Sequence, residues 1–253
     1  MKPFSRLPRG LIFPQVMPTI ERLSDASALR WRFMELTVSK EDYLKAIAEA
    51  ESEEGAAIAA TIARWLGVTP PAVALALRRL RRDKLVQVER KGRITLTAAG
   101  RKISDKLRFR HHLVERLLHE ILGMEWYKVH AEAERLEHSV SEDLERRLIE
   151  KLGRDGLCPH GNQINKSAAE RRKLGLQQLW EAPSGSLVRV DSMHERDRKL
   201  LEYFDGLGIR PGAQLRVLGR NYDGTLSLRL AGKATNLGEA AARKVWVSSR
   251  TNA

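Results

Sequence analysis

Residues 56–97 read AAIAATIARWLGVTPPAVALALRRLRRDKLVQVERKGRITLT, and two turns divide the stretch. Leu66-Gly67-Val68-Thr69 is the first. Pro70 and Pro71 then open a helix, because proline is tolerated in a first helical turn whose N–H groups have no partner anyway, and Thr69 supplies a capping hydroxyl. Lys91-Gly92 is the second turn, between two short β-branched runs holding Val86, Val88, Ile94 and Leu96. The stretch therefore predicts a helix over 56–65, a glycine-containing turn, a second helix through AVALALRRLRRDKL and a two-stranded wing. Helix, turn and helix is the arrangement that lays its second helix in the major groove of DNA.

Charge points the same way. The 253 residues carry a formal net charge of +13, and residues 61–110 hold 14 Lys and Arg against 3 Asp and Glu, or +11. The flanking segments 37–60 and 111–158 are each −4. An excess confined to one block implies a polyanionic partner, and a helix-turn-helix with a wing makes that partner duplex DNA. Thr69, Pro71, Ala72, Leu75, Arg78 and Arg79 on the second helix, with Arg90, Lys91 and Arg93 on the wing, are the expected DNA contacts. Pro71 and Ala72 suit packing on thymine methyls, whereas Ala74 and Leu75 offer no amide to read adenine.

Upstream, SKEDYLKAIAEAE begins a helix at Val38, with Ser39 as N-cap and Asp42 three residues on. Asp42 there reads as a capping-box or dipole-compensating acid. Residues 1–36, with four prolines by position 18, read as a flexible arm and a short helix. Downstream, RKISDKLRFRHHLVERLLHEIL is a long helix ending near Gly123 and carrying His111 and Glu115. A further helix over Val129–His138 places His130, Glu134, Glu137 and His138 at i, i+4, i+7 and i+8, on one face. Imidazole nitrogen and carboxylate oxygen on one stripe make a half-shell for manganese, iron or zinc. The alternative is a solvated face on which Glu and His happen to align. Against it, five of the seven histidines fall within 111–138. SEDLERRLIEKLG follows as a helix closed by Gly153. The apolar surface exceeds what a small winged helix needs, which predicts burial between two copies of the chain.

CPHGNQI at 158–164 is turn-rich, residues 165–185 have the polarity of a linker, and from Ser186 short period-two strands suggest a small β-barrel. No apolar run approaches the roughly 20 residues of a membrane helix. No apolar stretch of signal-peptide length opens the chain, and Cys158 is the single cysteine, so a cytoplasmic, reducing setting is expected. A hydrolytic metalloenzyme using the same His and Glu is one rival reading, but no nucleophile motif accompanies them and the +11 block would be idle. A metal-independent architectural DNA binder is another.

Three stretches, RHHLVERLL, KVHAEAERLEHSVSEDLERRL and CPHGNQI, make residues 38–250 resemble the diphtheria-toxin-repressor family of metal-dependent transcriptional regulators. The resemblance implies a mainly α fold with small β. It has a winged helix-turn-helix (37–100), a helical metal-binding and dimerisation domain (101–164), the linker (165–185) and a C-terminal SH3-like β-barrel (186–253), after the 1–36 arm. It implies a homodimer on a palindromic operator and no membrane. It places a regulatory metal site on Asp42, Glu134, Glu137 and His138, with His111 as a further ligand in manganese-type members, and an ancillary site on His111, Glu115 and His130. Glu195 or Asp197 would be the acid lent by the SH3-like domain. Iron-type members carry Cys and Met where this chain has Glu134 and Asp42, so Mn²⁺ is the implied cofactor and Fe²⁺ the alternative. Lys45 stands where some manganese-type members have a glutamate, which points to one metal rather than two in the regulatory site.

Overall fold

The structure, a computed structural model, describes residues 40–163 and 166–249. The arm expected over 1–36 and the Ser39 cap lie outside the described residues. The first helix, α1 (Lys40–Glu54), buries Leu44, Ile47 and Ala50 at helical spacing. A two-residue strand, β1 (Ala57–Ile58), follows and pairs antiparallel with the wing, Ala57 opposite Ile94. Helix α2 (Ala59–Leu66) ends at Gly67 in the left-handed region, φ 62°. The chain bends by 111° into α3 (Pro70–Arg82). The Thr69 hydroxyl accepts from Ala72 N at 3.4 Å, as the cap reading expects. Val73, Leu77 and Leu80 face inward and leave the arginine face of α3 to solvent. Strands β2 (Val86–Val88) and β3 (Arg93–Leu96) complete a three-stranded sheet in the order β1-β3-β2. The helix expected from 56 thus starts at Ala59. Ala57 and Ile58 give their backbone groups to the free edge of β3 instead, a tertiary partner that local propensity does not reveal.

The long helix is α4 (Ala98–Arg116), which ends in a π-turn over Leu117–Ile121. Helix α5 (Trp126–Leu136) then passes into a single 3-10 turn, Glu137–Ser139. Ser141 caps α6 (Glu142–Leu152), its hydroxyl accepting from Leu144 N at 3.2 Å. Val114, Leu118, Val129, Ala133 and Val140 pack α4, α5 and the 3-10 turn together. The helix expected over Val129–His138 therefore stops two residues early. Glu137 and His138 leave the 3.6-residue register, and the single stripe of four ligand-type side chains does not form.

The C-terminal body has α7 (Ala168–Lys173), β4 (Leu176–Gln178), β5 (Leu187–Met193), α8 (Arg198–Leu207), β6 (Gln214–Arg220), β7 (Thr225–Leu230), β8 (Lys233–Gly238), α9 (Glu239–Ala242) and β9 (Val245–Ser249). Its antiparallel sheet runs β4-β9-β5-β6-β7-β8. Val188, Val190, Phe204, Leu215, Val217 and Leu228 fill its core, and Trp126 from α5 enters the same core with its indole N–H donating to Asp205. A buried tryptophan shared between the two bodies ties the sheet to helix α5. The stretch 165–185 is not a plain linker. It holds α7, with a capping box at Ser167 and Glu170, and β4, which pairs with β9. Its polarity reflects one exposed helix and an edge strand. Among the described residues no single helix is long and apolar enough to cross a membrane.

Candidate metal centre

Two groups of ligand-type side chains share a pair of carboxylates: His111, Glu115, His130 and Glu195, and Glu115, Cys158, His160 and Glu195. His111 and Glu115 lie one turn apart on α4, with His111 Nε2 3.1 Å from Glu115 Oε1. His130 on α5 brings Nδ1 to 3.1 Å from the same oxygen and 3.0 Å from His111 Nε2. His160 Nδ1 stands 3.4 Å from Glu115 Oε1 and 3.4 Å from Glu195 Oε2. Cys158 Sγ is 3.4 Å from Glu195 Oε2. The Cys-Pro-His-Gly turn reaches this place because Gly161 adopts φ +81° hard against β5, where a Cβ would lie 2.1 Å from Asp191 O.

Electrostatics make this a site of tightly held charge. Burial opposes the charged form of His130, but its contacts with Glu115 and Glu134 and the Glu195 charge outweigh that and lift it to about 10. His160 rises against the same burial to about 9 through Glu115 and Glu195. Glu115, despite burial, is held well below the ordinary carboxylate range by His111 and His160. Burial and the neighbouring carboxylates push the Cys158 thiol up. His112, buried beside the cluster, is lowered to about 4 by desolvation and stays neutral. Glu115 Oε2 and His130 Nε2 are buried with no hydrogen-bond partner. Unpaired buried polar atoms are costly, and a divalent cation held by the Glu115 carboxylate would relieve that oxygen, while His130 Nε2 faces Glu134 at 3.6 Å on the other side of the ring. The donor set therefore fits a metal ion.

A third group brings Asp42 from the first turn of α1 to Glu137 and His138 of the 3-10 turn. His138 Nε2 is 2.7 Å from Asp42 Oδ1, and its Nδ1 is 3.0 Å from Glu41 Oε2. These carboxylates raise the His138 pKa although burial works against it. Glu134 belongs to none of the three groups. It sits 3.6 Å from His130 Nε2 and 3.7 Å from Arg196 Nη2, because the helix carries it one turn away from the displaced Glu137 and His138. Lys45, 3% exposed, fills the space that the resemblance assigned to a ligand. Its Nζ donates to Glu137 Oε2 at 2.7 Å and Oε1 at 2.9 Å and lies 3.0 Å from His111 Nδ1. Desolvation opposes its charge, yet Glu49 and Glu137 outweigh it and keep it protonated.

The metal-type residues expected from sequence thus fall into two centres, with Glu134 between them. Of the two acids proposed from the C-terminal domain, Glu195 joins the cluster. Asp197 does not: it caps α8, accepting from Leu200 N at 3.1 Å. Cys158 and His160 were not among the expected ligands, although a Cys and a His two apart in a tight turn are a readable ligand signal. In the N-terminal domain, Thr69, Pro71, Leu75, Arg78, Arg79, Arg90, Lys91 and Arg93 are exposed, and Ala72 is partly so. Gly92, φ +76°, turns the wing.

Comparison with known proteins accounts for the same three parts. Residues 35–94 match the family model described as iron dependent repressor, N-terminal DNA binding domain. Residues 97–166 match the iron dependent repressor, metal binding and dimerisation domain, and residues 177–249 match the FeoA domain. The chain is 35% identical over 198 residues to the iron-dependent repressor IdeR of Mycobacterium leprae, covering 72% of this chain and 85% of that protein. It is 30% identical over 227 residues to the diphtheria toxin repressor of Corynebacterium glutamicum, covering 84% and 97%. A solved manganese-dependent transcriptional repressor in complex with manganese superposes with a TM-score of 0.75 at 32% identity, over 84% of this chain and all of that one. The manganese regulator SloR superposes with a TM-score of 0.69 at 27% identity, over 85% of this chain and 100% of that one.

Proposed function

Since this chain belongs to the family of iron- and manganese-dependent transcriptional repressors that includes IdeR and the diphtheria toxin repressor, we propose that it is a manganese-activated, cytoplasmic repressor whose dimer binds a palindromic operator in genes of metal homeostasis. It carries a DNA-binding domain, a metal-binding and dimerisation domain and a FeoA domain, and it is not an enzyme. The observation that carries manganese is the donor set of the Asp42 group, which is oxygen and nitrogen without sulfur. Hard carboxylate oxygen suits Mn²⁺, whereas thioether and thiolate are softer.

Asp42, Glu137 and His138, with Glu134 swinging in from one turn away, would hold the regulatory metal, and His111, Glu115, His130 and Glu195 the ancillary one, with Cys158 and His160 at its edge. A divalent cation supplies there the positive charge that draws carboxylates of separate elements together. Asp42 begins the first helix of the DNA-binding domain, and Glu137 and His138 follow α5 of the dimer body. Drawing them together fixes the recognition helices α3 of two subunits at one spacing. The shift can be no larger than the difference in metal affinity between the DNA-competent and other states. Thr69, Pro71, Ala72, Leu75, Arg78 and Arg79 would meet the groove, with Arg90, Lys91 and Arg93 on phosphates. An iron-responsive repressor is the second reading. It is favoured by Cys158, a soft donor in the second cluster.

The test is operator binding across divalent metals for the parent and for Asp42→Met combined with Glu134→Cys, with Fe²⁺ handled anaerobically. The manganese response of the double variant should fall and its iron response persist or rise. An unchanged manganese response would show that these two residues do not select the metal.

A further inference from the structure

The segment His194–Asp197 joins β5 to α8 where the three parts of the fold meet, and its side chains alternate. Glu195 turns toward the shared metal cluster, accepting from Asn162 Nδ2 at 2.6 Å. The residues on either side turn to the DNA-binding domain. His194 Nδ1 lies 2.5 Å from Glu53 Oε2. Arg196 donates from Nε at 2.9 Å and from Nη2 at 2.5 Å to Glu49 Oε2 on α1. Its guanidinium also sits over the Trp65 ring of α2, 4.8 Å from the centroid. The Arg196 and Glu49 side chains are only 14% and 11% exposed. Arg196 Nη2 also lies 3.7 Å from Glu134 Oε1, but Glu49 is in none of the ligand groups and an indole is no metal ligand, so the Glu49 and Trp65 contacts are not metal ligation.

Arginine suits this place better than lysine. Its planar group stacks on an indole and donates in a fixed fork at the same time, whereas an ammonium is a point charge. Trp65 stands near the end of α2, one glycine turn before α3. A restraint on its ring is therefore passed through a short connection to the recognition helix.

We propose that Arg196 is a positioning residue, a lock that fastens α1 and α2 of the DNA-binding domain to the FeoA domain and so passes the state of the Glu195 cluster to the recognition helix. This deepens the metal-activated reading and rests on it. Two neighbouring residues of one short segment act together. Glu195 answers to the cluster, and Arg196 carries any movement of that segment to helices without a metal ligand near their distal ends. The coupling has a direction that can be read, from cluster to residues 59–82.

The experiment is amide hydrogen exchange on the full chain, as parent, Arg196→Ala, Arg196→Lys and Glu49→Gln, with and without Mn²⁺ alone, alongside Mn²⁺ binding and operator binding. In metal-free protein, exchange over Ala59–Leu66 should quicken about tenfold in Arg196→Ala, a typical coupling size. Mn²⁺ should slow exchange over 59–82 in the parent and not in Arg196→Ala, although the variant still binds Mn²⁺. Arg196→Lys should recover part of the effect and Glu49→Gln should lose part. A variant protected by Mn²⁺ to the parent's extent overturns the lock, as does one that loses Mn²⁺ binding outright, which would place Arg196 in the site itself. If Arg196→Ala does not fold, the two milder variants decide the question by the same readout. A parent that binds Mn²⁺ without gaining operator affinity would instead defeat the metal-activated reading, and the metal-free exchange comparison would still judge the lock.

Discussion

Lys45→Met removes the ammonium that neutralises Glu137 and leaves a stem of similar shape. The pair is buried, with side-chain exposures of 3% and 2%, and Nζ is 2.7 Å from Glu137 Oε2. Removing one partner of such a pair costs about 3–5 kcal/mol, because the remaining charge is left desolvated. His111 Nδ1 stays 2.5 Å from the same carboxylate oxygen and can donate a proton to it, so the cost should fall at the low end, about 3 kcal/mol. For a chain of this size that lowers the melting temperature by roughly 6–12 °C. A divalent cation supplies the charge that lysine supplied. Mn²⁺ should therefore stabilise Lys45→Met by more than it stabilises the parent and return most of the loss. The assay is thermal unfolding by circular dichroism in chelator and again in excess Mn²⁺. A variant that melts within about 2 °C of the parent in chelator would refute the claim that Lys45 serves as a built-in cation for Glu137. An equal Mn²⁺ increment in both proteins would refute the substitution of metal for lysine.

Operator affinity should fall by about 10³–10⁵ between 50 and 200 mM salt if the dimer makes roughly 6–10 phosphate contacts. Arg90→Gln with Arg93→Gln should flatten that dependence by about 0.9 in log–log slope for each phosphate left without its arginine, and a nearly flat parent titration would contradict the charged face of the wing. Stability should also depend on acid through Glu49. Burial opposes its charge, but Arg196, Lys45 and Arg108 outweigh this and hold its carboxyl at about 2 rather than 4.5. A depressed folded pKa stabilises above the unfolded value and is lost as pH falls, here between about 4.5 and 2, and the contribution is about 3 kcal/mol. The difference in unfolding free energy between parent and Glu49→Gln should therefore shrink across that window, and a difference constant from pH 6 to pH 3 would show that Glu49 is not held as a carboxylate.

The sequence by itself determined the elements whose signals are local. Pro70-Pro71 after Thr69 made a capped recognition helix, and the run of arginines on its outer face followed from where Val73, Leu77 and Leu80 must go. It also determined the chemistry of the candidate metal residues, since His111 and Glu115 sit one turn apart on any helix that contains them. What it did not determine was which ligands meet. That depends on where α5 stops. The helical pattern has no strong breaker before Ser139, so local signals alone carry the register through His138. In the fold the last turn is 3-10 and is followed by Val140, buried in one cluster with Val114 and Val129; Glu137 and His138 lie with Asp42, and Glu134 stands beside Arg196. Cys158, His160 and Glu195 join His111 and His130 only because Trp126 anchors the distant sheet on α5. Such contacts join residues far apart in the chain, and short-range periodicity carries no information about them. Lys45 shows the same limit within one side chain. Its sequence position said only that the glutamate of some manganese-type members was missing, while the fold buries its ammonium between Glu137 and His111.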